Sequence, residues 1–284
     1  MGETKLKIND IAGAYRSLLT ETGQLFGDAD RQSIKSMIRR YRSADSGGHT
    51  ADIEGVDRLW RSLATAAELS RSIAPDRNMV SAILYFPLYQ AGLATAADIT
   101  AGAEADVATL VEGLAKVQEL YSRHGVVASE NFRNLMLTLA RDIRVVIIMI
   151  VDRLVVMRAI NHHPDEEMVR KTAMESNYLY APLAHRLGLY KIKGELEDLS
   201  LKYTNREMFT RIATKLNATK RSRDAYIESF IRPVKEALER QGLKFEIKGR
   251  TKSIYSIWNK MMKQHNDVEQ IYDLFAIRII LDVD

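Results

Sequence analysis

The spacing of apolar residues changes once along this chain, at Gln241 and Gly242. Before that point, apolar side chains recur every three or four residues, as they do on a helix that buries one face. After it, Leu243, Phe245 and Ile247 alternate with charged residues, which is typical of a strand with one buried face. The pattern therefore predicts a helical body that is followed by the beginning of an α/β domain.

Helical spacing extends over most of the chain up to about residue 240, and Gly, Pro and Ser mark the loops. The longest apolar run, 143–151, contains Arg144 and is much shorter than the roughly 20 residues that span a bilayer. We expect it to belong to a buried helix of about 129–160, and we expect no membrane partner. Tyr-Ala-Pro-Leu-Ala-His-Arg-Leu-Gly (180–188) predicts two helices that meet at a proline.

The segment after residue 241 predicts a second domain that is only begun. Gly249 is expected to turn the chain from the first strand into a helix of about 251–265, and the apolar segment 274–281 predicts a central strand. Two strands and one helix seldom fold alone, and an apolar strand without a following partner exposes an edge. We therefore expect this sequence to be part of a longer protein.

Basic residues are concentrated in one part of the chain. Residues 202–263 contain 16 Lys and Arg against 6 Asp and Glu, whereas the whole chain has a net charge of +4. This excess predicts contact with anions such as phosphate ligands or RNA, although a solvated helix surface has the same composition. The chain has no Cys, which excludes disulfides and thiolate metal ligands and favours a reducing, cytoplasmic compartment.

Several side chains near the strand-to-helix turn have the chemistry of a phosphate site. The basic and hydroxyl groups are Arg250, Lys252, Ser256 and Lys260. The apolar residues expected on the opposite, buried face of the helix are Ile254, Ile257, Trp258 and Met261. Together with the backbone N–H groups of the helix start, the first set would neutralise a polyphosphate. A merely solvated helix face has the same spacing, and no Gly-x-x-x-x-Gly-Lys pattern is present. Asp273, at the start of the second strand, is either a Mg²⁺ ligand beside the same phosphates or an ordinary strand-start residue.

Two segments of this region resemble the start of the synthetase domain of RelA/SpoT homologues, which make the alarmone (p)ppGpp. They are Gly-Arg-Thr-Lys-Ser-Ile-Tyr-Ser-Ile-Trp-Asn-Lys-Met (249–261) and Ile-Tyr-Asp-Leu-Phe-Ala-Ile-Arg (271–278). Upstream, residues 180–200 and 131–158 resemble the connecting helices and the hydrolase-domain helices of the same family. The resemblance covers most of residues 50–284.

This resemblance implies transfer of pyrophosphate from ATP to the 3′-hydroxyl of GDP or GTP, a reaction that depends on positioning and charge neutralisation. The matching residues are Arg250, Lys252 and Lys260 around the ATP phosphates, Ser256 beside them and Asp273 on Mg²⁺. The family also requires a later guanine-stacking segment of the Gly-Tyr-Gln-Ser type and a metal-binding Glu, and neither is within this sequence. The chain alone is therefore not expected to catalyse synthesis.

The hydrolase domain of the bifunctional members is of the HD type, in which a His, a His-Asp pair and a distant Asp hold a metal that activates water. A Glu-Asp pair nearby supports proton transfer. In this chain, the matching positions carry Tyr85 and Phe86 in place of His-Asp, and Tyr89 and Gln90 in place of Glu-Asp. Neither aromatic ring supplies the missing imidazole and carboxylate, so we expect no Mn²⁺ at this site.

The family motif Asp-Arg-Leu-His-Asn-Met-Arg appears here as Asp-Arg-Leu-Val-Val-Met-Arg (152–158). Asp152 occupies the position of a metal-binding carboxylate of the family, whereas Val155 and Val156 replace the neighbouring His and Asn. We expect Asp152 to pair with an arginine instead. These changes resemble the synthetase-only branch of the family and predict an inactive hydrolase domain that serves as a scaffold or regulator.

The predicted architecture is mainly α-helical, with a degenerate HD-type domain (1–160), connecting helices (161–240) and an incomplete α/β nucleotidyltransferase-like synthetase domain (241–284). The expected partners are ATP and GDP or GTP, with (p)ppGpp as a regulator and with ribosome or tRNA contacts only through later domains. Two alternatives are a non-catalytic helical module that binds nucleotide or RNA, and an active metal-dependent hydrolase.

Overall fold

The computed structural model describes residues 10–44, 55–124, 142–218, 220–271 and 274–282. The chain divides into two compact units, Met1–Leu196 and Glu197–Asp284, and the division falls within a helix. The division into 1–160, 161–240 and 241–284 stays a prediction.

The first unit is built from helices in its described part. They are α1 (Ile11–Glu21), α2 (Asp28–Ala44), α3 (Arg58–Ser72), α4 (Arg77–Gln90), α5 (Ala96–Gly102), α6 (Ala105–His124), α7 (Ile143–Ala159), α8 (Glu166–Glu175), α9 (Ala181–Arg186) and the first part of α10 (Tyr190–Thr204). Helix α3 packs against α1, α4 and α7, and α4 packs against α6. Helix α7 contains the apolar run 143–151 and buries residues such as Ile150 and Val151, which confirms the predicted buried helix.

Capping aspartates determine where several of these helices begin. Asp57, Asp76 and Asp165 accept hydrogen bonds from backbone N–H groups three residues later, at 2.7–2.9 Å. Asp142 caps α7 by accepting from the Arg144 N–H at 2.9 Å, and its own backbone is extended. The predicted continuous helix over 129–160 is therefore wrong at Asp142, which is the N-cap of α7, and residues 129–141 lie outside the described residues.

The segment around Pro182 also differs from the prediction. Helix α8 continues through a π-helical turn, Ser176–Tyr180, directly into α9. Pro182 follows this π-helical turn, in which the Ala181 N–H donates to the Ser176 carbonyl five residues earlier. The chain turns later, at Gly188, which has a left-handed φ of 73°. No helix in the described part of the chain is long and apolar enough to cross a membrane.

The second unit contains the remainder of α10, followed by helices and two paired strands. These elements are α11 (Arg206–Ala218), α12 (Lys220–Arg240), β1 (Phe245–Thr251), α13 (Ile254–Gln264) and β2 (Phe275–Leu281). The strands are antiparallel, with Phe245 opposite Leu281 and Thr251 opposite Phe275. The prediction that Gly249 turns the chain is wrong, because Gly249 lies within β1 and pairs with Ile277.

Helix α13 packs against α11 and forms the apolar core of the second unit. The buried residues of this core are Ile212, Leu216, Ile257, Met261, Val268 and Ile271, with Ile254 and Trp258 packed against them. The predicted core face of the helix is therefore confirmed. On β2, Ile279, Ile280 and Leu281 are 40–44% exposed.

Candidate functional site

Helix α13 begins at Ile254, after its N-cap Ser253, and not at residue 251 as predicted. Ser253 Oγ lies 3.3 Å from the Ser256 N–H, which donates to it, and 2.8 Å from Ser256 Oγ. Asp198 Oδ1 accepts a hydrogen bond from the Tyr255 N–H at 2.8 Å. Two N–H groups of the helix start, which the sequence pattern assigned to a polyphosphate, are therefore already bonded to protein side chains.

The later helix start changes the geometry of the predicted phosphate ligands. Ser256 and Lys260 lie in successive turns on one face of α13, and both are half-buried. Lys252 precedes the N-cap and is not part of that face, and its N–H donates to the Leu274 carbonyl at 2.9 Å. The fold therefore places Lys252 at the junction of β1 and α13 and places Ser256 in the first turn that follows.

The structure does not describe the side chains of two predicted ligands, Arg250 and Asp273. Arg250 lies in β1 opposite Ala276, but its side chain is outside the described ones. Asp273, the predicted Mg²⁺ ligand, lies outside the described residues. Tyr255 and Trp258 both belong to α13, and their ring centroids lie 5.4 Å apart.

Asp152 on α7, the carboxylate of the Asp-Arg-Leu-Val-Val-Met-Arg segment, is paired with an arginine as expected. The partner is Arg61 on α3, whose Nε donates to Oδ1 at 2.7 Å and whose Nη2 donates to Oδ2. Thr65 Oγ1 also donates to Oδ1, at 3.2 Å. The guanidinium thus occupies both carboxylate oxygens in a bidentate pair.

Other positions at which the family motifs have metal or acid–base residues carry aliphatic and aromatic side chains in this chain. Val155 and Val156 are buried aliphatic residues, and Phe86 is a half-buried ring. Burial raises the pKa of Tyr85, and a hydrogen bond with Ser33 offsets part of this effect, so the phenol stays protonated near neutral pH. Within the described ranges, no group of three or more His, Asp or Glu residues is placed to hold a metal ion.

The two remaining predicted positions are also half-buried on α4. Gln90 donates from Nε2 to the Gln118 Oε1 at 2.5 Å, and Tyr89 lies one residue before it. An amide and a phenol do not replace the two carboxylates that the family motif has at these positions.

We expect Arg61→Ala to lower the unfolding free energy of the first unit by about 1–3 kcal/mol, because Asp152 would lose its charged partner. The chain has two tryptophans, Trp60 in the first unit and Trp258 in the second. In a Trp258→Phe background, Trp60 fluorescence during urea unfolding reports the first unit alone. Arg58→Ala, three residues earlier on α3, is the control, and an equal loss in both variants would contradict the assignment.

A second ion-pair network in the first unit was not predicted from the sequence. Arg158 on α7 donates to Glu68 Oε2 at 2.8 Å and forms a bidentate pair with Glu195 on α10. Glu68 has a side chain only 6% exposed, and it also accepts from Arg71 and from Ser72 at 2.9 and 2.6 Å. Its buried carboxylate is therefore held by several charged or hydroxyl donors.

The pKa of Glu68 predicts acid sensitivity of this unit. Burial alone would raise that pKa, but hydrogen bonds from Arg158 and Ser72 and the nearby positive charges outweigh burial and lower it. A carboxyl whose pKa is lower in the folded state contributes stability above its unfolded pKa of about 4.3. We expect this stability to be lost as the pH falls through the lower folded-state pKa. Urea unfolding measured between about pH 6 and pH 3 should show that the unfolding free energy falls less with decreasing pH in Glu68→Gln than in the unchanged chain.

Comparison with known proteins places both units in one family. Residues 48–190 match the HD domain family, and residues 249–284 match the region found in RelA and SpoT proteins. The chain is 36% identical to a GTP pyrophosphokinase of Myxococcus xanthus over 230 aligned residues. The aligned segment covers 80% of this chain and 30% of that protein. It is 33% identical to the GTP pyrophosphokinase of Escherichia coli (strain K12) over 231 aligned residues, a segment that covers 79% of this chain and 31% of that protein.

A relative named for the opposite reaction also matches. The chain is 35% identical over 177 residues to a guanosine-3′,5′-bis(diphosphate) 3′-pyrophosphohydrolase of Aquifex aeolicus, covering 62% of this chain and 25% of that protein. This chain spans about 30% of the length of the GTP pyrophosphokinases that it matches.

The mainly helical first unit thus has an HD-type fold, and the RelA/SpoT match begins within β1 and includes α13. The chain belongs to the RelA/SpoT family, as the sequence motifs predicted.

Proposed function

We propose that the chain is the N-terminal part of a synthetase that transfers pyrophosphate from ATP to the 3′-hydroxyl of GDP or GTP. The observation that carries this proposal is the position of three residues in the segment that matches the RelA/SpoT region: Lys252 just before the N-cap of α13, Ser256 in its first turn and Lys260 one turn later. The relatives named GTP pyrophosphokinase align with about four-fifths of the chain.

In the proposed site, the protein contributes positioning and charge. Lys252 and Lys260, with Arg250, would neutralise the ATP phosphates, and Ser256 would donate a hydrogen bond beside them. Mg²⁺ bound by Asp273 would add charge neutralisation at the same phosphates. Negative charge is concentrated on the oxygens of the transferred pyrophosphoryl group. Cations fixed beside these oxygens therefore lower the activation barrier without a covalent enzyme intermediate.

The test of this proposal uses the full-length protein that contains this chain. Incubation with ATP, Mg²⁺ and either GDP or GTP should give the 3′-pyrophosphorylated guanosine nucleotide and AMP, separated by ion-exchange chromatography. An absence of both products would overturn the proposal. The comparison of GDP with GTP identifies the preferred acceptor.

We further propose that the HD-type unit does not hydrolyse (p)ppGpp and serves as a scaffold or regulator. The bidentate pair of Arg61 with Asp152 supports this, because it uses the carboxylate that a metal would need. Tyr85 and Phe86 supply no replacement ligands. Incubation of the purified protein with ppGpp and Mn²⁺ is expected to release no pyrophosphate, and its release would refute the assignment.

A non-catalytic module that binds nucleotide or RNA is the second candidate, favoured by the 16 Lys and Arg within residues 202–263. Calorimetry with ATP, ppGpp and a short RNA at two salt concentrations separates the candidates. An affinity that falls steeply as the salt concentration rises, and that does not differ between ATP and ppGpp, would favour the RNA module. We place the protein in the cytoplasm, where ATP, GDP and GTP are available.

A further inference from the structure

The carboxylate of Asp198 lies at the start of α13. Its Oδ1 accepts the hydrogen bond of the Tyr255 N–H at 2.8 Å, although the two residues are 57 positions apart in the sequence. Tyr255 is the second residue of the helix, between the N-cap Ser253 and Ser256. Helix starts carry N–H groups without intrahelical partners and a positive partial charge, so a carboxylate there holds the first turn in place.

The turn held by Asp198 is the one that carries the proposed phosphate ligands. Lys252 immediately precedes the cap, Ser256 is in the first turn, and Lys260 follows one turn later. Ser253 also caps this turn, but it moves with the helix that it caps. Asp198 belongs to α10, so its hydrogen bond fixes the turn relative to a different element of the second unit.

We propose that Asp198 is a positioning residue for the ATP side of pyrophosphate transfer, an inference that rests on the proposed synthetase function. Because Asp198 accepts the Tyr255 N–H, this N–H does not bind the phosphates of ATP. The phosphates are then bound by the side chains of Lys252 and Lys260. Asp198 also fixes where those side chains stand. Misplacement of a catalytic group by about 1 Å can cost about 100-fold in rate, so a residue that does not touch substrate can still control it.

Two substitutions separate the hydrogen bond from the charge. Asp198→Ala removes the acceptor, and in the full-length protein we expect kcat to fall about 10-fold or more. Asp198→Asn keeps an oxygen acceptor without the charge, and we expect kcat within about threefold of the unchanged protein. The KM for GDP should stay unchanged in both, because the contact acts on the ATP side, whereas a general folding defect would affect both substrates.

Amide exchange tests the contact without any activity. In the 284-residue chain, the Tyr255 amide is expected to exchange at least about 10-fold faster in Asp198→Ala, and at a nearly unchanged rate in Asp198→Asn. The Ile257 amide, which donates to the Ser253 carbonyl at 3.1 Å, is the control for an intact helix.

The outcomes are distinct. Unchanged kcat in Asp198→Ala overturns the inference while leaving the proposed function intact. Equal kcat losses in both variants, with the Tyr255 amide still protected in Asp198→Asn, also overturn it, because the charge and not the hydrogen bond would then be responsible. If the unchanged full-length protein makes no product, the proposed function fails and the catalytic role of Asp198 fails with it.

Discussion

Replacing Lys260 with Ala in the full-length protein is expected to lower kcat/KM for pyrophosphate transfer by about 100-fold or more. Lys260 is half-buried on α13, one turn after Ser256. A fixed charge in a partly dehydrated site stabilises phosphate charge far better than an exposed one, and the loss of one such group typically costs about 10²–10³ in rate. Initial rates with varied ATP at saturating GDP measure the effect.

Lys263 on the same helix provides the matched control. It is exposed and lies three residues after Lys260, so Lys263→Ala removes the same charge one turn farther from the helix start. We expect kcat/KM to fall by no more than about threefold in Lys263→Ala, and this difference should become smaller as the salt concentration rises. Equal losses in the two variants would show that α13 attracts ATP only through its overall charge and would contradict a specific role for Lys260.

The helical part of the fold was predictable where the sequence contains a clear stop and a clear cap. Ala-Pro-Asp (74–76) separates α3 from α4, with Asp76 as the N-cap of α4, and Asp165 is the N-cap of α8 after Pro164. The error at Asp142 has a physical cause, because an Asp among helix-forming residues suits either a helix interior or a cap. In the structure Asp142 has an extended backbone and accepts the Arg144 N–H as a cap, and the spacing of apolar residues does not reveal this choice.

The boundary between β1 and α13 was misplaced for a similar reason. Gly249 suggested a turn, but in the structure the strand continues through Thr251 and Ser253 caps the helix. Pairing with β2 supplies the hydrogen bonds that keep Gly249 extended, and this pairing is a contact between distant segments. The apolar face of α13 depends on local spacing only, so Ile257 and Met261 were correctly predicted as core residues.

The candidate site was predictable in its residue types and not in its supporting contacts. The basic and hydroxyl groups cluster within eleven consecutive residues, 250–260, so their chemistry is visible in the sequence. Arg61 with Asp152 and Asp198 with Tyr255 are separated by 91 and 57 positions. A single sequence contains no signal for such pairings, although the loss of the His and Asn beside Asp152 did predict an arginine partner.

Arg158→Ala is expected to destabilise the first unit by about 2–4 kcal/mol, since it removes a charged partner from the buried Glu68 and ends the bidentate pair with Glu195. The cost stays below that of a fully stranded charge because Arg71 and Ser72 still bind Glu68. Urea unfolding followed by Trp60 fluorescence in the Trp258→Phe background measures it.

The reason for this loss can be tested by adding Glu68→Gln to Arg158→Ala. If the stranded carboxylate causes most of the loss, the neutral amide should recover at least about 1 kcal/mol, so that the double variant is more stable than Arg158→Ala alone. The same Glu68→Gln change in the unchanged background should destabilise, because Arg158 would then lose its buried partner. Simple additivity of the two changes would instead mean that Arg158 stabilises α7 through packing of its aliphatic chain and not through its charge.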